Sequence, residues 1–375
     1  MSGKEQDFIK EAFDTNWVVP LGPNVNAFEK SLQDFLIENG KLKIENEGKQ
    51  VVALSAGTAA LHLGLILLGV QAGDEVICQS FTFCASANPV TYLGATAVFV
   101  DSEEDTWNMN PVLLEEAIRD RIAKTGREPK AIIPVHLYGM PAKMDEICAV
   151  AEKYGIPVLE DAAEALGSEY KGLKCGTFGK FGALSFNGNK MITTSGGGAL
   201  ICPNEEKAKR ALFYATQARE QAPHYQHEKI GYNYRMSNIC AGIGRGQMFV
   251  LDEHVARRRA IHDLYVKLLA GLKGVKVMCQ PEGMGFNSNY WLTCITVEPE
   301  EAGFTRENVR LALDGENIES RPLWKPMHLQ PVFKDAPFYG NGTSERLFEI
   351  GLCLPSGPTL TDEDVERVVK VIYDL

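Results

Sequence analysis

Between residues 49 and 202 the chain repeats one theme, in which short apolar runs rich in β-branched residues alternate with stretches whose apolar positions recur every three to four residues. The runs "KQVVALS", "DEVICQSF", "ATAVFVD", "KAIIPVHL", "IPVLED", "FGALSF" and "GGALIC" read as buried strands, because they are too short for helices and too continuously apolar for one-sided sheets. Helical stretches lie between them. "NPVLLEEAIRDRIAK" follows Asn110, and "KMDEICAVAEKYG" ends on Gly155. Strands alternating with crossover helices predict an α/β domain with a mostly parallel, mixed sheet flanked by helices.

Both flanks are helical in pattern. Val25, Phe28, Leu32, Phe35 and Leu36 predict an amphipathic helix after the loop "NWVVPLGPN". Further on, Met248, Leu251, Val255, Leu264, Leu268 and Leu272 trace one long helix, with the charge run Arg257 to Arg259 as its solvated face. The C-terminal part mixes strands ("VKVMCQ", "WLTCITVE") with helices and closes on "TDEDVERVVKVIYDL", where Thr361 and Asp364 fit a capping box. The expected division is a large domain over residues 1–245, including the N-terminal helix, and a smaller α+β domain over 246–375.

Composition narrows the function. With 49 acidic against 38 basic residues, a net charge of -11 repels phosphate backbones and anionic lipid, so neither nucleic acid nor a membrane surface is an expected partner. Nine cysteines are scattered without a CxxC pair, as expected of buried thiols rather than a disulfide framework or a metal site. The N-terminus is charged and the most apolar stretch, "LHLGLILLGV", is too short to span a bilayer, so a cytoplasmic protein is expected.

The sharpest chemical signal is "LSFNGNKMITTSGGGAL", a lysine between an apolar run and a glycine cluster. It fails the phosphate-loop pattern GxxxxGK[ST], because Gly188 is not followed directly by lysine and Lys190 is followed by Met191. A lysine that forms a Schiff base has different needs: a tight turn, partial desolvation and a cofactor fixed at both ends. Pyridoxal phosphate (PLP) is such a cofactor, and the chain offers groups for each end of it. Gly57 and Thr58 stand where a strand meets a helix N-terminus, and Ser185 supplies a second hydroxyl for the phosphate. Asp161, just past a strand, could face the pyridine nitrogen, and Phe83 could stack on the ring.

Taken together, "SAGTAAL", "QSFTFCASANPV", "VLEDAAEALG", "SFNGNK" with "ITTSGGGAL", and "GYNYRMSN" resemble the motifs of the PLP-dependent sugar-nucleotide aminotransferases of the DegT/DnrJ/StrS type. The resemblance extends from "NWVVPLGPNVNAFE" to "GLCLPSGPTLTDEDV" and implies the fold of aspartate aminotransferase. Further implications are catalysis by Lys190 and Asp161, and cofactor contacts from Gly57, Thr58, Phe83, Ser185 and Glu164, the last standing where relatives often carry His or Gln. Asn233 and Arg235 would reach the phosphate of a neighbouring subunit, giving a homodimer with shared active sites. Pro20, Leu21 and His328 would line the sugar-nucleotide pocket. By the same resemblance the amino donor is L-glutamate and the acceptor a nucleotide-linked keto sugar. "FNGNK" and "TTSGGG" depart from the commonest family pattern and resemble the branch that acts on UDP-linked 4-keto-6-deoxy sugars.

Blander readings compete with each of these. Asp161 could simply cap a helix over "AAEALG", Gly196 to Gly198 could serve only a turn, Phe83 could be core, and His136 and His328 could be satisfied structural groups. Two other functions also compete: a sugar dehydratase of the same fold, in which histidine replaces the lysine, and a non-catalytic regulator that senses PLP or a sugar nucleotide. Lys190 argues against the first, and the acidic balance against a DNA-binding form of the second.

Overall fold

A computed structural model describes residues 1–37 and 48–375. The apolar runs form the strands β1 (Gln50–Leu54), β2 (Glu75–Gln79), β3 (Thr96–Val100), β4 (Ala131–Ile133), β5 (Leu159–Asp161), β6 (Phe181–Ser185) and β7 (Gly198–Cys202). They lie side by side in the order β1-β7-β6-β5-β4-β2-β3, with β4 and β5 joined through the parallel bridges Ile132–Val158 and Val135–Asp161. The pairs β2–β3, β2–β4 and β5–β6 are parallel. Strand β7 runs antiparallel to both its neighbours, because the chain returns from β6 through a loop and not through a crossover helix. That returning loop carries Lys190.

The sheet is a buried layer. Val76, Ile77 and Cys78 of β2 have no exposed surface, which requires cover on both faces and explains the continuous apolar runs. The N-terminal helices are α1 (Glu5–Asp14) and α2 (Pro23–Ile37), the latter burying Val25, Phe28, Leu32 and Leu36 as its spacing predicts. Helix α3 (Gly57–Leu67) follows β1 directly. Helix α4 (Pro111–Thr125) starts at Asn110, whose side chain accepts from the Val112 and Leu113 amides. Helix α5 (Met144–Lys153) ends just before Gly155 at φ 66°, a left-handed value that glycine adopts without strain.

The long helix expected from Met248 to Leu272 is two helices. α6 (Asn238–Met248) ends before Phe249 and Val250, and α7 (Leu251–Leu269) starts anew, so Met248 and Leu272 lie outside it. Nor is Arg257 to Arg259 a solvated face. Arg258 is 5% exposed, Arg259 donates from Nε to Ser288 O at 2.7 Å, and Arg257 holds Leu360 O and Asp362.

The C-terminal part forms a separate antiparallel sheet in the order Val275–Val277, Thr293–Val297, Gly351–Leu354, Arg321–Pro322. Helix α7 and helix α8 (Asp362–Tyr373) pack against it through Ile261, Tyr265, Val365, Val369 and Ile372. The Thr361–Asp364 capping box forms as read. No described helix is long and apolar enough to cross a membrane.

Candidate active site

A cavity of about 310 Å³ opens at the carboxyl ends of the parallel strands and is lined by Gly57, Thr58, Phe83, Asp161, Glu164, Ser185 and Lys190, among others. Residues read from four separate stretches therefore share one space. The topology accounts for it: β1, β5 and β6 all end here, and each site residue stands at or just beyond a strand end.

At one wall, α3 begins with Ala56 as N-cap and no side-chain cap, so the first-turn amides keep their hydrogen-bonding capacity for something else. A Cβ on Gly57 would meet Ser185 Cβ at 2.9 Å and Leu184 O at 3.3 Å, so glycine lets the helix start press against the end of β6 and its hydroxyl. Uncapped amides, the Thr58 side chain and the Ser185 side chain together make an anion cradle of phosphate chemistry. Gly198 belongs to the same close approach, since a Cβ there would lie 2.4 Å from Ala56 C and from Gly57 N. Gly196 and Gly197 line the cavity, so this cluster does more than let a turn form.

The opposite wall holds Asp161, 4% exposed. Its Oδ2 accepts from Ser86 Oγ at 2.6 Å and its Oδ1 from the Ala163 amide at 3.1 Å. No helix follows, so Asp161 caps nothing. Ser86 Oγ lies 2.8 Å from Thr82 Oγ1, and the hydroxyl pair fixes the carboxylate from behind. A buried carboxylate held by one hydroxyl and one amide suits a protonated ring nitrogen.

Lys190 sits in a turn closed by its amide to Asn187 O at 3.0 Å. Its Nζ lies 3.4 Å from Glu164 Oε1 and 4.1 Å from the centroid of a Trp291 ring. Glu164 is buried, and its Oε2 accepts the Tyr138 amide at 2.7 Å. Burial raises its pKa above the ordinary carboxylate value, while Lys190 and the Tyr138 amide pull it back. Phe83 is 48% exposed, its ring 5.4 Å from that of Trp324, so it belongs to the cavity rim and not to the core. Amine, carboxylate, anion cradle and a free aromatic face are the set that PLP requires, and the residues present fit it.

Other expected site residues lie elsewhere. Pro20 and Leu21 are exposed in the loop before α2 and His328 lies behind the cavity; none of the three lines it. The reason for His328 is that both nitrogens are engaged, with Ser80 Oγ at 2.7 Å and Glu345 Oε1 at 3.0 Å, and its ring stacks on Phe338. It is a strut between β2 and the C-terminal part. His136 is fully buried between Glu160 Oε2 at 2.9 Å and the Ala142 amide at 3.0 Å, a structural group as the blander reading had it. Arg235, expected to reach a partner, is also engaged within its own chain. Its guanidinium pairs with Glu29 of its own chain and donates to Ala53 O at 2.9 Å, which pins α2 to β1. Asn233, in the same segment, is exposed.

Sequence reading missed Trp291, Trp324 and Thr82, which line the cavity, together with Ser86 and Tyr138, which hold Asp161 and Glu164 from behind. Trp291 precedes a strand of the C-terminal sheet and lies far along the chain from Lys190. No local pattern marks it.

Comparison with known proteins agrees with this geometry. The profile of the DegT/DnrJ/EryC1/StrS aminotransferase family matches residues 1–373. The chain is 50% identical over 380 residues to EpsN of Bacillus subtilis (strain 168), named as a pyridoxal phosphate-dependent aminotransferase, covering 100% of this chain and 94% of that protein. It is 36% identical over 374 residues to a GDP-perosamine synthase of Escherichia coli O157:H7, covering 100% and 96% respectively. A crystal structure of a DegT DnrJ EryC1 StrS aminotransferase from Brucella abortus superposes with a TM-score of 0.89 at 32% identity, over 99% of this chain and 95% of that one.

Proposed function

The chain belongs to the DegT/DnrJ/EryC1/StrS aminotransferase family and is a PLP-dependent sugar aminotransferase, and on that premise we propose that it moves an amino group from L-glutamate to the keto carbon of a UDP-linked 4-keto-6-deoxy sugar, using Lys190. One observation carries the reading: the Lys190 amine, the buried Asp161 carboxylate and the uncapped start of α3 beside Ser185 line a single cavity.

PLP, when bound, supplies an electron-withdrawing ring that lets a C–H bond beside an amino nitrogen give up its proton. The protein's own groups do the rest. Thr58, Ser185 and the Gly57 amide would hold the phosphate, and the Phe83 ring would cover the pyridine. Asp161 would keep a proton on the ring nitrogen by opposing it with a carboxylate held in place by Ser86 and the Ala163 amide. Lys190 Nζ would be the base that takes the proton from Cα of L-glutamate and holds it for return. In the second half-reaction the same amine works in reverse on the sugar. Glu164 faces Lys190 Nζ and stands ready to receive the amine as a cation.

The nucleotide is the finer part of the reading. The relative called a GDP-perosamine synthase points to a GDP sugar, at 36% identity against 50% for EpsN. A panel of UDP-, GDP- and dTDP-linked 4-keto-6-deoxy sugars, assayed with L-glutamate by product mass, tests both levels. We expect the UDP sugar to show the highest kcat/KM. Turnover confined to the GDP sugar would overturn the nucleotide assignment, and no turnover with any of the three would overturn the reaction.

A further inference from the structure

Helix α7 buries a cation that no described carboxylate neutralises. Arg258 is 5% exposed, and its Nη1 donates to the carbonyls of Trp291 and, at 3.0 Å, Ser356. Its Nε is buried without a partner. Burying a guanidinium among carbonyls alone costs free energy, so what the arrangement accomplishes lies in what it holds.

It holds the turn 287–291. Tyr290 adopts φ 45°, a left-handed conformation that strains a non-glycine residue. Around that bend side chains tie down the backbone. Ser288 Oγ accepts the Tyr290 amide at 3.0 Å, Asn289 Oδ1 accepts the Trp291 amide at 2.8 Å, and Arg258 takes the Trp291 carbonyl. The turn then reaches both reacting-site loops. Asn289 Nδ2 donates to Glu164 O at 3.0 Å and Leu166 O at 2.9 Å. Trp291 Nε1 donates to Asn189 O at 2.7 Å, one residue before Lys190, while the indole face lies under the Lys190 amine.

We propose that the Arg258-anchored turn 287–291 is a strap by which the C-terminal part positions the Lys190–Glu164 pair, with Trp291 and Arg258 as positioning residues for proton transfer. The proposal rests on the reading of Lys190 as the base. A proton transfer needs Nζ within hydrogen-bonding reach of the donor carbon's proton, and a shift of about 1 Å costs as much as ~100-fold in rate. The loop 186–197 has no regular secondary structure to fix it, so the tryptophan does so from across the cavity.

The test uses the purified, PLP-loaded enzyme. In Trp291→Phe the ring remains and the bond to Asn189 O is lost; in Arg258→Met the anchor is lost. Both should speed amide hydrogen exchange across residues 187–192 and lower kcat by roughly tenfold, the worth of one hydrogen bond. The isotope effect on kcat with α-deuterated L-glutamate should rise, while KM for L-glutamate stays within about threefold. Arg258→Lys keeps the charge but not the forked donor, and it supplies the same readouts in smaller measure if the other variants do not fold. Folded variants with wild-type exchange at 187–192 and a wild-type isotope effect would overturn the strap and leave the aminotransferase reading standing. A wild-type enzyme that never releases deuterium from the donor would overturn that reading and the strap with it.

Discussion

At the scale of single residues, Asp161 is a side chain that ordinary chemistry would not leave buried without purpose. Asp161 is held by Ser86 and by the Ala163 amide, and nothing cationic within the described residues pairs with it. Its partner is therefore expected from the cofactor, as a protonated ring nitrogen. Asp161→Asn keeps the shape and one acceptor oxygen for the Ala163 amide, with its NH2 donating to Ser86 Oγ in place of accepting from it, but removes the charge, so turnover should fall by about 100-fold or more while the melting temperature changes little. Steady-state assays beside thermal denaturation check this, and a rate near wild type would mean that the cofactor lies elsewhere. Lys190, Asp161, Gly57, Thr58, Ser185 and Phe83 were legible because each is punctuation, a glycine, a turn residue or a charge at the end of an apolar run. Trp291 was not, since a tryptophan beside a strand reads as core. Its role appears only when a distant turn is brought against Lys190.

Among elements, the informative failure is Arg258. Read as part of a charge run it looked solvated, yet positions 251, 255, 258, 262, 265 and 269 form the buried stripe of α7. The spacing was in the sequence, and the charges hid it. The break between α6 and α7 was hidden for the converse reason: Met248, Leu251 and Val255 continue a helical spacing across Phe249 and Val250. Helix α1 offers a prediction at this scale. Glu5, at its start, is 3% exposed and accepts from the Ser2 and Gly3 amides at 2.7 and 2.9 Å and from Gln247 Nε2 of α6 at 2.6 Å. Burial alone would raise its pKa, but these hydrogen bonds outweigh it and bring the value from 4.5 down to about 2. A depressed folded-state value stabilises the fold above the unfolded value and loses that effect as pH falls toward the folded one. Glu5→Gln should therefore cost ~2 kcal/mol at pH 7, with the gap to wild type closing between about pH 4.5 and pH 2. Denaturant melts across that range measure it, and a gap independent of pH would contradict the assignment.

For the whole molecule, the alternation of apolar runs revealed an α/β sheet but neither its strand order nor the reversal of β7, because order depends on which crossovers pack together and not on any one segment. Sharing of the site between two chains follows from resemblance and is proposed here for the segment of Asn233 and Arg235, in which Asn233 is exposed and Arg235 pairs with its own Glu29. Mixing Lys190→Ala with Asn233→Ala chains tests it. Shared sites give mixed dimers with one intact site each, and activity of about a quarter of wild type in a statistical mixture; self-contained sites give none above the parents.

The central claim is that Lys190 is the lysine that carries PLP, and covalent mapping tests it most directly. The purified protein, loaded with PLP, is treated with borohydride and digested, and the peptides are sequenced by mass spectrometry. A single modified lysine is expected, on the peptide containing Lys190, and none in a Lys190→Ala variant that still folds. A label on any other lysine, or the same label in that variant, would contradict it.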